Sequence, residues 1–118
     1  MKVEISHGFL NIKLNPLEKF FALHGDLKIP VNRVIHAAPE KAGWQVAAVR
    51  APGTHIPFLL KAGTYHTALG REFWFVTAGR PHLVIEMNNW EFNRLVFSPG
   101  EAEALATIIN QTATYGSD

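Results

Sequence analysis

Apolar and polar positions alternate with a period of two through the first part of the chain. Val3 and Ile5 alternate with Glu4 and Ser6, and Leu10, Ile12 and Leu14 alternate with Asn11 and Lys13. Successive side chains of a strand point to opposite faces, so these runs, split around Gly8, predict a β-hairpin with one buried face. The period changes at Asn15-Pro16-Leu17-Glu18. Asn is a favoured N-cap, Pro suits the first helical turn, and Glu three residues after the cap completes a capping box. With Gly25 as a stop, residues 16–24 predict a short helix or helical turn. Alternation resumes at Leu27, Ile29 and Val31. Pro30 cannot donate to a ladder, which predicts an edge position or a bend there. Residues 34–38 continue the sheet, and residues 39–49 are ambiguous, a helical turn around Trp44 being one reading.

The middle of the chain changes character. Arg50-Ala-Pro-Gly-Thr-His-Ile-Pro-Phe-Leu-Leu-Lys-Ala-Gly-Thr-Tyr65 is dense in Pro and Gly and predicts a shaped loop. Residues 64–67 and 71–77 then read as paired strands. Phe73-Trp74-Phe75-Val76 lacks polar alternation, so both of its faces need cover, from the chain itself or from a partner. Leu83, Ile85 and Met87 mark another strand, Asn88-Asn89 a turn, and residues 92–97 a last strand. Ser98-Pro99-Gly100-Glu101 repeats the capping-box pattern. Ala102, Leu105, Ala106 and Ile109 follow at i, i+3, i+4 and i+7, which predicts an amphipathic helix over residues 99–113 and a frayed tail at 114–118. A single domain over residues 1–113 follows. Its predicted architecture is mainly β: a seven-stranded antiparallel barrel closed by the C-terminal helix, with a flat sheet under that helix as the rival.

Composition narrows the function classes. Hydrophobic residues make up 47% and charged residues 18% of the 118 positions, which is a globular balance and not a disordered one. A formal charge of +1 supplies no global field for nucleic acid or an anionic membrane. No run approaches the roughly 18 apolar residues of a membrane span. Glu4 and His7 interrupt any apolar leader, so a cytoplasmic location is the default expectation. Without cysteine, disulfides and thiolate metal sites are excluded.

Several segments taken together resemble a group of small bacterial proteins with a pleckstrin-homology-like fold. They are the hairpin, Leu23-His24-Gly25-Asp26 leading to Ile29-Pro30-Val31, Arg50-Ala-Pro-Gly-Thr54 with Ile56-Pro57, Gly63-Thr64 and Gly70-Arg-Glu-Phe73. The resemblance implies a seven-stranded barrel closed by a C-terminal helix. It implies no function, because a fold hosts many. In lipid-binding members a basic cluster at the first hairpin holds inositol phosphates. The matching turn here is Ser6-His7-Gly8-Phe9, without Lys or Arg, so phosphoinositide binding is not expected.

Six histidines are scattered without the spacing of a metal motif. His55, His66 and Glu72 would make a facial site only if their loop folded back; the ordinary reading, isolated histidines at turns and rims, is preferred and no metal or cofactor is expected. The serines lack a nucleophile elbow, and Gly53 and Gly63 form no phosphate loop. Arg50, Lys61, Arg71 and Arg80 surround Tyr65 and Trp74, the composition of a cationic, aromatic groove for an acidic peptide or small anion, against the ordinary alternative of a solvated rim. The leading expectation is a non-catalytic binding or assembly module working through residues 50–76, with Arg50, His55, Lys61, Tyr65, His66, Arg71 and Trp74 as candidate binding residues. Its expected partner is a protein, most simply a second copy meeting near Trp74 or Phe58. The alternative is a small-molecule or anion-binding protein, or an enzyme, with a pocket near His55, His66 and Arg71.

Overall fold

The structure is a computed structural model that describes residues 1–40, 49–56, 60–67, 70–77, 81–99 and 101–116. Strands β1 (Lys2–Ser6), β2 (Phe9–Lys13) and β3 (Leu27–Pro30) form a three-stranded antiparallel sheet in that order. His7 and Gly8 connect β1 to β2 with φ of 53° and 78°. Two consecutive left-handed residues are what the type I′ turn of a tight hairpin requires. Pro30 pairs with Phe9 at the sheet's edge, where its missing N–H forfeits no ladder bond.

Helix α1 (Pro16–Ala22) begins as its sequence predicts. The Glu18 N–H donates to Asn15 Oδ1 and the Asn15 N–H donates to Glu18 Oε1, both at 2.8 Å. Its end differs from expectation. Leu23, not Gly25, adopts the left-handed cap, with φ 50° and ψ 45°, and its N–H bonds to the carbonyl of Lys19. The stop is thus set two residues early by a residue that carries a Cβ.

The second sheet contains β4 (Val34–Glu40), β5 (Val49–Ile56), β6 (Leu60–Thr67), β7 (Gly70–Thr77), β8 (His82–Met87) and β9 (Arg94–Phe97). Their spatial order is β4-β8-β9-β7-β6-β5. Two open sheets therefore replace the predicted seven-stranded barrel, and among the described residues neither sheet closes on itself. The pairing is not wholly antiparallel either. β9 is antiparallel to β8 but parallel to β7. Alternation along a strand is the same for both pairings, so the pattern carried no warning of this insertion.

The Pro/Gly segment is another departure. Residues expected to loop form β5, which pairs with β6 at the edge of the sheet, with a register shift between Arg50 and Gly53. An edge strand with a bulge is where a sheet accommodates Pro52. The expected turn around Trp44 lies outside the described residues, as do Phe58 and Arg80.

Helix α2 (Ala102–Gly116) starts and ends three residues later than predicted. Ser98 does not cap it: the Ser98 hydroxyl accepts the Thr77 N–H at 3.2 Å, tying the end of β9 to β7. The predicted apolar stripe holds, with Ala102, Ala106 and Ile109 buried and Leu105 half-buried. The helix packs chiefly against β4 and does not plug a barrel. Asn110 Nδ2 donates to the Ala37 carbonyl at 2.8 Å, and Asn110 Oδ1 accepts the Ala37 N–H at 2.7 Å. One carboxamide thus satisfies both outward backbone groups of an edge strand, as a neighbouring strand would.

Both sheets and both helices contribute to one large core, which includes Leu10, Ile12, Ile29, Ala22, Phe73, Leu83, Ile85, Phe92, Leu95 and Ile109. A smaller cluster of Tyr65, Trp74, Val76, Val84 and Val96 occupies the opposite face of the six-stranded sheet. Phe73 and Phe75 point into the first and Trp74 and Val76 into the second, which explains the unbroken apolar run of β7.

Candidate functional site: two faces of the large sheet

Cross-strand register builds the site residues into two groups. On the face with the smaller cluster, a single row crosses the sheet: Tyr65 opposite Glu72, Glu72 opposite Arg94, Arg94 opposite Glu86, and Glu86 opposite His36, with the Arg50 backbone paired to Tyr65 at the edge. Residues directly opposite share a face and interact, so charges of alternate sign support the register. Arg94 Nε lies 3.9 Å from Glu72 Oε2, Arg94 Nη2 lies 4.0 Å from Glu86 Oε1, and His36 Nδ1 lies 4.0 Å from Glu86 Oε2. The row sinks from the exposed His36 to Glu72, which is 5% exposed. The Trp74 indole N–H donates to Glu72 Oε1 at 3.0 Å, giving that buried carboxylate a second partner.

Next to this row sits the aromatic and cationic group that composition suggested. Lys61 Nζ lies 5.1 Å from the centroid of the Trp74 ring and 5.6 Å from that of Tyr65, and the two rings are 5.8 Å apart. Gly63 stands opposite Trp74 with φ 133°, a conformation glycine adopts without the cost that a Cβ imposes. Burial holds the Lys61 ammonium below the ordinary lysine value by withdrawing water from its charge. However, Lys61, Tyr65 and Trp74 are all less than a tenth exposed. The group is packed within the chain and does not form an open groove, and Trp74, at 3% exposed, presents no apolar patch to a second copy.

The opposite face carries His66 and Arg71. His66 pairs with Arg71, and both are exposed. His66 and Glu72 therefore point to opposite sides of the sheet, and the facial set of His55, His66 and Glu72 is not assembled; His55 itself is placed by register opposite Lys61. The Arg71 guanidinium carbon lies 4.9 Å from the centroid of Phe92. The same Phe92 ring meets His24 at 5.6 Å, Phe73 at 5.8 Å and Trp90 at 6.0 Å. His24 also packs edge-on to Phe73 at 5.2 Å. This corner joins the end of α1 to the start of β7.

Helix α1 makes the corner apolar as well as cationic. Leu17, Phe20 and Leu23 are 62%, 70% and 60% exposed, the three most exposed large apolar side chains described. Positions three apart share one side of a helix, so Leu17 and Phe20 form a contiguous surface that Leu23 extends. Reading the sequence missed this surface. Its apolar spacing was visible, but the same spacing is what a buried helix shows. It also missed His24 and Phe92, whose meeting depends on β9 being inserted beside β7.

Elsewhere, a groove of about 540 Å³ opens between the first hairpin and α2, lined by Ile5, Gly8, Phe9, Pro30, Val31, Asn32 and Thr112. It includes none of the predicted site residues. Among the described residues no three His, Asp or Glu side chains gather where they would hold a metal ion. No helix among them is long and apolar enough to cross a membrane. Comparison of the chain with protein-family models, with curated proteins and with solved structures finds no match in any of the three.

Proposed function

We propose that this chain is a non-catalytic binding module that docks a protein partner on the corner formed by α1, His66 and Arg71. The observation that carries this reading is the exposure of Leu17, Phe20 and Leu23 on one side of a short helix whose other side, at Ala22, is fully buried. Clustered exposed apolar side chains mark interaction surfaces more often than single ones do. The packing of α1 against β5 and β6 places this surface beside the strands on which the sequence located binding. The working surface thus keeps His66 and Arg71 and leaves out Lys61, Tyr65 and Trp74, which pack inside. A second copy of the chain is the other occupant, now through α1 and not through Trp74.

The test is panning of a random peptide library on the immobilised full chain, with Phe20→Asp as the matched control. Peptides that bind the wild type and lose binding on Phe20→Asp are the expected result. No enriched peptide, or equal capture by both proteins, would overturn the reading. Sedimentation of the free chain across a dilution series reports whether a second copy competes for the same face.

A further inference from the structure

Arg71 differs from Arg94, the other arginine of the sheet whose side chain is described. Arg94, opposite Glu72 on the neighbouring strand, has two carboxylates within 4.0 Å. Arg71 is exposed, rests on the Phe92 ring, and among the described residues has no carboxylate within ion-pairing distance. Its main chain is pinned on both sides, by the ladder to His66 and by the Asn93 N–H, which donates to the Arg71 carbonyl at 2.7 Å. The ring beneath it is fully buried and packed against His24, Phe73 and Trp90. A guanidinium over an aromatic face leaves its N–H donors, which lie in the guanidinium's own plane, available for the fork that matches a carboxylate.

Most of the acids nearest to this corner are already engaged, Glu72 by Arg94 and the Trp74 indole. Glu18 closes the capping box, and Asp26 accepts the Leu14 N–H and stands 3.7 Å from Lys19 Nζ. Glu91, on the connection that carries Phe92, is exposed and makes no ion pair with Arg71. We infer that Arg71 is a carboxylate-recognition residue, and that the partner docks a segment combining apolar anchors for Leu17, Phe20 and Leu23 with an Asp or Glu side chain for Arg71. This rests on the docking role proposed above for α1. Charge favours such a segment over a second copy, because a two-fold contact through this corner would bring Arg71 towards its own symmetry mate.

The panned peptides provide the test. An enriched motif should contain an acidic residue among apolar ones. Replacing that residue by its amide should weaken binding about tenfold or more, and Arg71→Gln should do the same. Combining the two changes should cost little more than either alone, as expected for partners in one contact. Peptides whose binding needs Phe20 but is unaffected by Arg71→Gln would overturn the carboxylate site and leave the docking role standing. If no peptide is enriched, both fall. A melting temperature of Arg71→Gln close to wild type separates a lost contact from lost folding.

Discussion

The two helices use apolar side chains in opposite ways. Helix α2 turns Ala102, Ala106 and Ile109 into the core and shows solvent a largely polar side, with Ile108 its one strongly exposed large apolar residue among those described. Helix α1 is half as long and buries Ala22 fully, while Leu17 and Phe20 stand in water. An amphipathic stripe thus serves as an anchor in one helix and as an exposed surface in the other. Length contributes to the difference. Seven residues make about two turns, too few for an isolated helix to be stable in water, so the capping box and the fit of its buried side must hold α1 in place. Of the exposed side chains, Phe20 also packs edge-on to Phe21 at 5.7 Å.

One substitution made in both helices is the sharpest way to break this comparison. Ile109→Asp places an unpaired carboxylate in the core and should remove several kcal/mol, a large share of the 5–15 kcal/mol that typically holds a domain together. The folded population should collapse in thermal or urea unfolding. Phe20→Asp should leave stability within about 0.5 kcal/mol of wild type, since it adds a charge to a site already in water. Equal losses for both variants would mean that α1 is part of the core and that its exposed face has no separate role.

The next largest effect concerns the latch between α2 and the sheet. Asn110→Ala strips both outward backbone groups of Ala37 of their partner. The expected cost is about 1–3 kcal/mol, read from the urea midpoint at unchanged m-value. An unchanged midpoint would show that water replaces the carboxamide at no cost and that apolar packing alone docks α2.

The smallest effect lies at the end of α1. Leu23 holds a left-handed conformation that costs a residue with a Cβ roughly 1 kcal/mol, and its exposed side chain returns little of that in packing. Leu23→Gly should therefore stabilise the fold by a few tenths to about 1 kcal/mol, the gain being trimmed by the extra freedom of glycine when unfolded. Under the docking role it should also weaken peptide capture. A more stable protein that binds less would place Leu23 where function outweighs local fit.

Local signals were the legible part of this chain. The first hairpin, the Asn15 capping box, the edge position of Pro30 and the apolar stripe of α2 each depend on a few consecutive residues and on the geometry of one element. Where two local signals competed, the sequence could not choose between them. Gly25 and Leu23 both stood near the end of α1, and the chain turned at the residue whose N–H reached Lys19. Ser98 carried a capping pattern, yet its hydroxyl went to the Thr77 N–H once β9 lay near β7.

Alternation of apolar and polar residues by itself determined that the protein is mainly β with an amphipathic C-terminal helix, because side-chain direction follows from the backbone period alone. Only the tertiary structure decided that the strands form two open sheets, that β9 enters beside β7 in parallel, and that the Arg71 face meets Phe92. Those outcomes depend on which strand lies next to which. Pairing partners are selected by non-local packing, and a strand reads the same in sequence whichever neighbour it takes. The surroundings of Arg71 are the clearest case. Its odd spacing from Trp74 on one strand already sends the two to opposite faces, but that the Arg71 face meets Phe92 follows from β9 lying beside β7.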